Sequence, residues 1–286
     1  MRRFFAPGKV VLLGEYAVLD GAPALVAAVD RGVACEVRPG PFAIVTPPGT
    51  DDRFVAPALQ AVGAPEATYV FRDAPPPTTS DKPGLGSSAA ATVVAMVAGS
   101  AMQGERMPPE ALHQRAHEVH HRVQGSGSGI DVAAASHGGV IRFERGKVTP
   151  RPPVAFRVAY SGTSAKTGPR VQRYLAWPDR AGFVQASTTL VDHAHRDLPG
   201  ALREAGDRLG AMAEAAGIAY WTTGLRRLCH LASVHGGGAK PSGAGGGDVV
   251  VAAFPTEGQA DAWSDAAAAE GFTMIPTRLA PGAQEA

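Results

Sequence analysis

A turn of glycines and serines, residues 83–88 (Pro-Gly-Leu-Gly-Ser-Ser), runs directly into a stretch of small, mostly apolar residues at 89–98. That stretch predicts a helix from Ser88 to about Ala101, with Ser87 or Ser88 as its N-cap. The first N–H groups of such a helix point at the turn, and the helix dipole is positive there, so the turn can hold an anion. By itself the pattern fits a phosphate-binding loop and a plain helix start equally well.

The turn differs from two familiar phosphate-binding motifs. No Lys-Ser or Lys-Thr pair follows it at the Walker A spacing, and its glycines do not have the G-x-G-x-x-G spacing of a dinucleotide-binding loop. Its function therefore depends on what the other segments bring to it.

The hydrophobic pattern predicts strands and helices that alternate along the whole chain. The class is therefore mixed α and β (α+β), and the proline-rich segment 149–156 is the best candidate boundary between two domains, 1–152 and 153–286. Strands are expected at 4–13, 24–38, 42–45, 68–72, 139–143, 156–160, 249–254 and 272–278. Helices are expected at 88–101, 109–123, 130–136 and 257–270, with several more between 169 and 235, and 236–248 is expected to be a turn.

Composition excludes several classes of protein. The net charge is +1 with both signs scattered, which argues against a nucleic-acid surface. The longest apolar run has about half of the roughly 20 residues that a membrane span needs. No apolar signal segment follows the first two arginines, so we expect a cytoplasmic protein. The two cysteines, Cys35 and Cys229, have no CxxC spacing and are expected to be free thiols.

Lysine is rare in this chain. Of 27 basic residues only five are lysines, and four of these, Lys9, Lys82, Lys166 and Lys240, lie in or beside segments rich in glycine or serine. A compact ammonium group suits a phosphate, so this placement points to phosphate binding.

A second glycine-rich segment, residues 243–248 (Gly-Ala-Gly-Gly-Gly-Asp), has four glycines in five residues. Ordering so many glycines costs conformational entropy, and a flexible linker is one interpretation. The apolar stretches on both sides favour the other interpretation, which is a tight loop packed against a ligand or against the first glycine-rich turn.

Two further segments carry polar groups that could do chemistry. Lys9 follows Ala6-Pro7-Gly8 near the start of a predicted strand, where a lysine is usually a solvated edge residue. Asp131 follows Gly127-Ser128-Gly129-Ile130 at the start of a short helix, where a carboxylate usually has a capping role. Each segment is a weak signal by itself.

Together, the segments 1–20, 82–98, 124–139 and 240–254 resemble, in the same order, the signature segments of the GHMP kinases. This family uses ATP to phosphorylate galactose, homoserine, mevalonate and phosphomevalonate. The resemblance implies a ribosomal S5-like N-terminal domain with a left-handed βαβ element, a ferredoxin-like C-terminal domain, and an active site in the cleft between them.

Within the family the segments 14–18, 82–88, 124–132, 161–167 and 238–243 resemble the phosphomevalonate kinase branch most closely, although Lys166 stands where that branch would have serine. The acceptor implied is 5-phosphomevalonate, and mevalonate is the alternative because the family's loops bind ATP and say little about the acceptor. The mevalonate kinase branch places a Mg²⁺-binding glutamate 11 residues before the equivalent of Asp131. That position is His120 here, and Glu118 is off register by two.

The resemblance also implies a role for each matching residue. Lys9 would lie beside the transferred phosphoryl group, and Asp131 would accept the proton of the attacking oxygen or orient it. The nucleotide would be bound by Lys82, Pro83, Gly84, Leu85, Gly86, Ser87, Ser88 and Ala89, with Mg²⁺ at Ser87 and Ser88. The substrate would be bound by Glu15, Tyr16, Ser126, Ser128, Gly129, His137, Lys166, Arg170, Ser242, Gly243, Ala244, Gly245 and Asp248; of these, His137, Lys166 and Arg170 are chosen by position only, as cations for a second phosphate.

Two interpretations from other classes stay open at this point. Residues 117–121 (His-Glu-Val-His-His) match the HExxH pattern of zinc hydrolases, with His117 and His121 on one helix face and Glu118 as the base. The other interpretation of this segment is a polar helix face near an active-site cleft. The chain could also be a binding protein that has kept the fold without catalysis. Neither a membrane nor a nucleic acid is expected as a partner, and the sequence does not decide between a monomer and a homodimer.

Overall fold

The computed structural model describes residues 1–48, 50, 52–76, 83–165 and 167–286. Two residues with predicted roles, Lys82 and Lys166, lie outside the described residues. Among the described residues, no helix is long and apolar enough to cross a bilayer. Cys35 and Cys229 are both free thiols, as expected.

The first sheet is built around one long strand, β2, which pairs with β1 along one edge and with β4 and β5 along the other. All pairs in this sheet are antiparallel except β3 with β4, and the strand order is β11-β1-β2-β4-β3 with β5 and β6 attached to β2. The strands are β1 (Arg2–Leu13), β2 (Ala24–Arg38), β3 (Ala43–Val45), β4 (Thr68–Ala74), β5 (Val140–Glu144), β6 (Lys147–Arg151) and β11 (Gln284–Glu285).

Four helices belong to this half of the chain: α1 (Val55–Ala61), α2 (Ser87–Met102), α3 (Pro109–Gln124) and α4 (Ile130–His137), and a short 3₁₀ helix covers Ala17–Asp20. Helix α2 is central, because it contacts β1, β2 and the other three helices. Its small side chains are buried on nearly all sides, which lets the backbone approach the sheet closely. Phe4, Tyr69 and Phe71 fill the space between sheet and helices.

The second sheet has four antiparallel strands in the order β10-β7-β9-β8, namely β7 (Arg157–Tyr160), β8 (Gly238–Ser242), β9 (Val249–Ala253) and β10 (Thr273–Met274). Its helices are α5 (Thr167–Ala176), α6 (Ala181–His193), α7 (Leu198–Ala215), α8 (Thr223–Val234) and α9 (Glu257–Ala269). Strand β9 is buried on both faces: Val250 packs with Trp263 of α9, and Val251 packs with Leu202 of α7 and with Val10 of β1.

The structure corrects three local predictions. Residues 236–248 are not one turn, because β8 forms a buried ladder with β9. Helix α2 is capped by Gly86 in the left-handed conformation, with no side-chain cap, so neither Ser87 nor Ser88 is the N-cap. The expected last strand at 272–278 is reduced to two residues, since the chain leaves the second sheet after Met274.

The end of the chain departs from the predicted division into 1–152 and 153–286. Strand β11 pairs with β1, and Leu279 bridges to Val29, so the last residues lie against the first sheet rather than the second. The contacts of α6 and α7 with β1 also join the two halves, so that the second half covers one end of the first.

Candidate active site

The first glycine-rich turn lies directly against strand β1. The backbone N–H of Lys9 donates a hydrogen bond to the carbonyl oxygen of Leu85 over 2.8 Å. A Cβ atom on Gly8 would lie 2.5 Å from that same oxygen and 2.2 Å from the carbonyl oxygen of Arg31, so only glycine allows this approach. The contact brings the N-terminus of α2 to the side chain of Lys9.

The Lys9 ammonium group joins the turn to helix α4. Its Nζ donates to the carbonyl oxygen of Gly84 over 3.2 Å and lies 3.8 Å from Oδ1 of Asp131. The lysine side chain is 8% exposed and the aspartate side chain 35% exposed, so water reaches one side of the pair. Lys9 is therefore an oriented cation at the wall of a cleft and not a solvated edge residue. Asp131 is the second residue of α4 and faces this cation.

The second glycine-rich segment packs against the first through Asp248. The Asp248 backbone is left-handed (φ 60°), and its Oδ1 accepts the N–H of Ala165 over 3.1 Å. A Cβ atom on Gly84, whose φ is +69°, would lie 2.6 Å from Oδ2 of Asp248. Burial raises the pKa of Asp248, and the nearby N–H of Ala165 and the charge of Lys9 oppose that effect. The tight-loop interpretation of 243–248 is therefore the one that the structure adopts.

A cavity of about 160 Å³ lies between β1, α3, α4 and the second glycine-rich loop. It brings together nine of the predicted site residues: Lys9, Glu15, Tyr16, Ser126, Ser128, Gly129, Asp131, Gly243 and Ala244. The other polar lining residues are His117, His120, His121, Gln124 and Thr167, to which the sequence assigned no ligand in the kinase site. We call this space the cleft cavity.

A second cavity, of about 370 Å³, is lined by Ser87 and Ser88 at the start of α2. Its wall is partly apolar, with Phe54 and Phe71 among the lining residues, and Arg53 and Arg72 also face it. Ser88 connects this larger cavity to the cleft cavity, because its hydroxyl lies 3.2 Å from Nε2 of His120, which lines the cleft cavity. We call the larger space the outer cavity.

The residues at this helix N-terminus fit a Mg²⁺ ion bound mainly by phosphate oxygens and water. The hydroxyls of Ser87 and Ser88 are hard oxygen donors, which Mg²⁺ prefers. Nε2 of His120 lies 3.2 Å from the Ser88 hydroxyl, and burial lowers the pKa of His120, so its neutral ring can accept the serine proton and leave the oxygen lone pairs available. In the described part of the chain, no group of three or more His, Cys, Asp or Glu side chains is placed to hold a metal ion.

Several predicted substrate ligands instead hold the two halves of the chain together. The Tyr16 hydroxyl donates to the carbonyl oxygen of Ala244 over 2.6 Å, and the Ser242 hydroxyl accepts the N–H of Val11 over 2.9 Å. Oε1 of Glu15 is bound to Lys240, whereas its Oε2 is buried and has no hydrogen-bond partner among the described residues. Gly245 does not line the cleft cavity, because it packs on the ring of Tyr220.

Two of the cations chosen by position lie away from the cleft cavity. His137 faces a third cavity, where it packs edge-on against His113, and burial lowers the pKa of His137, so its ring is neutral at neutral pH. Arg170 of α5 donates to the carbonyl oxygen of Ala219 over 3.3 Å and packs against Gly246. Lys240 does not face a phosphate site either, because its side chain is completely buried. His137, Arg170 and Lys240 therefore contact other parts of the fold and do not line the cleft cavity.

Comparison with known proteins identifies the family. The model of the GHMP kinases N terminal domain matches residues 72–139, and the model of the GHMP kinases C terminal domain matches residues 193–272. The mevalonate kinase of Aeropyrum pernix is 32% identical over 292 residues, and the alignment covers 88% of each chain. The chain belongs to the GHMP kinase family.

Other GHMP kinases extend the similarity over nearly the whole chain. The phosphomevalonate kinase of Streptomyces sp. (strain CL190) is 27% identical, with 96% of each chain covered. The solved structure of Streptococcus pneumoniae phosphomevalonate kinase in complex with phosphomevalonate and AMPPNP superposes with a TM-score of 0.84 at 19% identity, covering 98% of this chain and 100% of that chain. The two-domain α+β fold expected from the sequence is confirmed.

Family membership removes the zinc hydrolase interpretation of residues 117–121. His117 and His121 lie 5.7 Å apart between ring centroids and line the cleft cavity. Glu118 does not line that cavity; it lines the third cavity, together with His137 and His117. His117, His120 and His121 thus lie on the side of α3 that lines the cleft cavity, as the interpretation of a polar helix face near an active-site cleft expects.

Proposed function

We propose that this GHMP kinase transfers the terminal phosphoryl group of ATP to 5-phosphomevalonate and forms 5-diphosphomevalonate. The phosphoryl transfer rests on the position of the Lys9 ammonium group, between the turn at the α2 N-terminus and Asp131. A cation at that point can stabilise a phosphoryl group that passes from one cavity to the other. The choice of acceptor rests on the resemblance of the signature segments to phosphomevalonate kinases, one of which is 27% identical.

The outer cavity is the proposed site of the nucleotide. Its aromatic side chains, Phe54 and Phe71, suit a purine base, and the N–H groups at the start of α2 suit the phosphates. Ser87 and Ser88 would hold a Mg²⁺ ion, which would supply positive charge to the phosphates. Lys9 would add positive charge beside the transferred group.

The cleft cavity is the proposed site of the acceptor. Ser126 and Ser128 supply hydroxyl groups beside Asp131, and Gly129 leaves its backbone open to a ligand. A phosphate oxygen of 5-phosphomevalonate is largely ionised before it attacks, so Asp131 would mainly orient Lys9. A hydroxyl acceptor would instead need Asp131 as a general base.

Mevalonate is the alternative acceptor, and two observations favour it. Relatives with 30% identity or more over most of this chain carry the name mevalonate kinase. Among the described residues that line the cleft cavity, Lys9 is the one lysine or arginine. Thr167, which follows Lys166 in the chain, also lines this cavity. Among the described residues, a second phosphate group in the cleft cavity would therefore meet no further lysine or arginine.

A coupled ADP-release assay separates these functions. Purified protein is given ATP and Mg²⁺ with 5-phosphomevalonate, mevalonate, homoserine or galactose, and the product is identified by mass spectrometry. The proposal expects kcat/KM to be highest for 5-phosphomevalonate. A higher value for mevalonate would establish the alternative, and binding of ATP without turnover of any acceptor would establish the non-catalytic binding protein.

A further inference from the structure

Strand β1 has one edge that is only partly paired with another strand, and side chains of the second sheet make hydrogen bonds to it. Strand β1 pairs with β2 on one edge, whereas on its other edge β11 reaches only Phe4 and Phe5. Further along that edge, the N–H of Val11 donates to the Ser242 hydroxyl, and the carbonyl oxygen of Val11 accepts from Nζ of Lys240 over 3.3 Å. Side chains of β8 thus take the place of a neighbouring strand.

Lys240 is a fully buried cation whose three protons all have acceptors. Besides the Val11 carbonyl, Nζ donates to the carbonyl oxygen of Pro241 over 3.0 Å and to Oε1 of Glu15. The same carboxylate oxygen accepts the N–H of Gly243 over 3.3 Å. A single ion pair therefore ties β1, the turn after β1 and the start of the second glycine-rich loop together.

The groups tied by this ion pair form two facing walls of the cleft cavity. Lys9 and Val11 are two residues apart on β1, so both side chains lie on the same face of the strand, and both line the cavity. Gly243 and Ala244 line it from the second half of the chain. The distance between Lys9 and the second glycine-rich loop therefore depends on the contacts that Lys240 makes.

An apolar residue at position 240 could fill the same volume but could not make these contacts. It would leave the Val11 carbonyl without a donor and the buried Glu15 carboxylate without a counter-charge, and a buried ion pair broken on one side is strongly destabilising. Replacing both charged partners by neutral groups of similar size is less costly, because no buried charge is left unpaired. The stability of the fold and the geometry of the cleft can therefore be separated by experiment.

We propose that Lys240 is a positioning residue of this kinase, which sets the placement of Lys9 relative to the second glycine-rich loop through Glu15 and the Val11 carbonyl. It does not touch either substrate. Its role in turnover rests on the proposed function, whereas its role in holding the two sheets together does not.

The test compares Lys240→Met, Glu15→Gln and the double variant that carries both substitutions. The double variant is expected to melt above Lys240→Met, because no charge is left unpaired, and to lose tenfold or more in kcat with less than a threefold change in KM for ATP. Glu15→Gln alone leaves Lys240 without its counter-charge and is expected to lower the melting temperature. Its amide oxygen can still accept from Lys240, so it is expected to lose clearly less kcat than the double variant. Lys147→Met, which removes an exposed lysine of β6, is the matched control with unchanged kcat.

Two results would overturn the proposal. One is a double variant with kcat within twofold of wild type. The other is a Glu15→Gln variant that loses as much kcat as the double variant, because the effect would then belong to the carboxylate itself and not to Lys240.

Hydrogen exchange tests the same inference without any activity. In the double variant the amides of residues 9–16 and 242–248 should exchange faster, with no change in β4. Unchanged exchange in both segments would contradict the proposal. If the wild-type protein turns over no acceptor at all, the proposed kinase function fails, whereas this exchange experiment still decides the structural role of Lys240.

Discussion

Asp131→Asn is the substitution that best separates the two acceptors. It removes the charge beside Lys9 and leaves the shape of the side chain almost unchanged. The two charges are 3.8 Å apart, so their attraction is between about 1 kcal/mol in bulk water and about 4 kcal/mol at an effective dielectric constant of 20. The aspartate side chain is 35% exposed, which places the attraction toward the lower end.

The expected loss of kcat depends on the chemistry of the attacking oxygen. With 5-phosphomevalonate the oxygen is already ionised, so the variant loses only the orientation of Lys9 and should keep more than about a tenth of kcat, because about 1.4 kcal/mol corresponds to tenfold. With mevalonate as acceptor, the attacking hydroxyl needs a base, and removing a general base typically costs 10²- to 10⁴-fold.

Steady-state kcat is measured for both acceptors at saturating ATP and Mg²⁺, in the wild-type protein, in Asp131→Asn and in Asp179→Asn. Asp179 is exposed in the loop between α5 and α6, so its substitution controls for the loss of one negative charge. A loss of 10²-fold or more with 5-phosphomevalonate would refute the idea that a phosphate acceptor needs no base. Equal losses with both acceptors would refute the link between Asp131 and the acceptor.

Three further substitutions test other parts of the molecule. Lys9→Met should lower kcat by about 10²–10³, as expected for a lost electrostatic contact to the transferred group, and an unchanged kcat would remove Lys9 from the mechanism. Gly84→Ala should have a lower melting temperature in calorimetry than Gly63→Ala. Both positions have positive φ, but only at position 84 would the added Cβ atom lie against Asp248. Equal melting temperatures would contradict the close packing of Gly84 on Asp248. Burial and two neighbouring histidines lower the pKa of His113 from 6.5 to about 4, so the folded state favours the neutral ring. The free energy of unfolding should therefore decrease as pH falls from about 6.5 towards 4, by up to about 3 kcal/mol, and urea titrations should show a shallower decrease in His113→Gln.

Much of the fold could be predicted because it follows from local patterns. The alternation of residues in β2 and the small residues of α2 indicate a strand and a buried helix before any tertiary contact is considered. The order of the glycine-rich segments then indicated the GHMP kinases. Segments whose structure depends on distant partners were predicted less well. Strand β8 resembles a loop in composition. It is a strand because its backbone pairs with β9 and because Glu15 accepts a hydrogen bond from its buried Lys240.

The site residues divide in the same way. The residue types and spacings of Lys9, Asp131 and the two glycine-rich segments are visible in one dimension, so the sequence alone could indicate them as candidates. Which of them meet depends on the fold, which places Lys9 against Asp131, turns His137 away from the cleft cavity and buries Lys240 beside Glu15. A charged side chain is stabilised only where the fold supplies its partners, and those partners lie far away in the chain, as Glu15 does from Lys240.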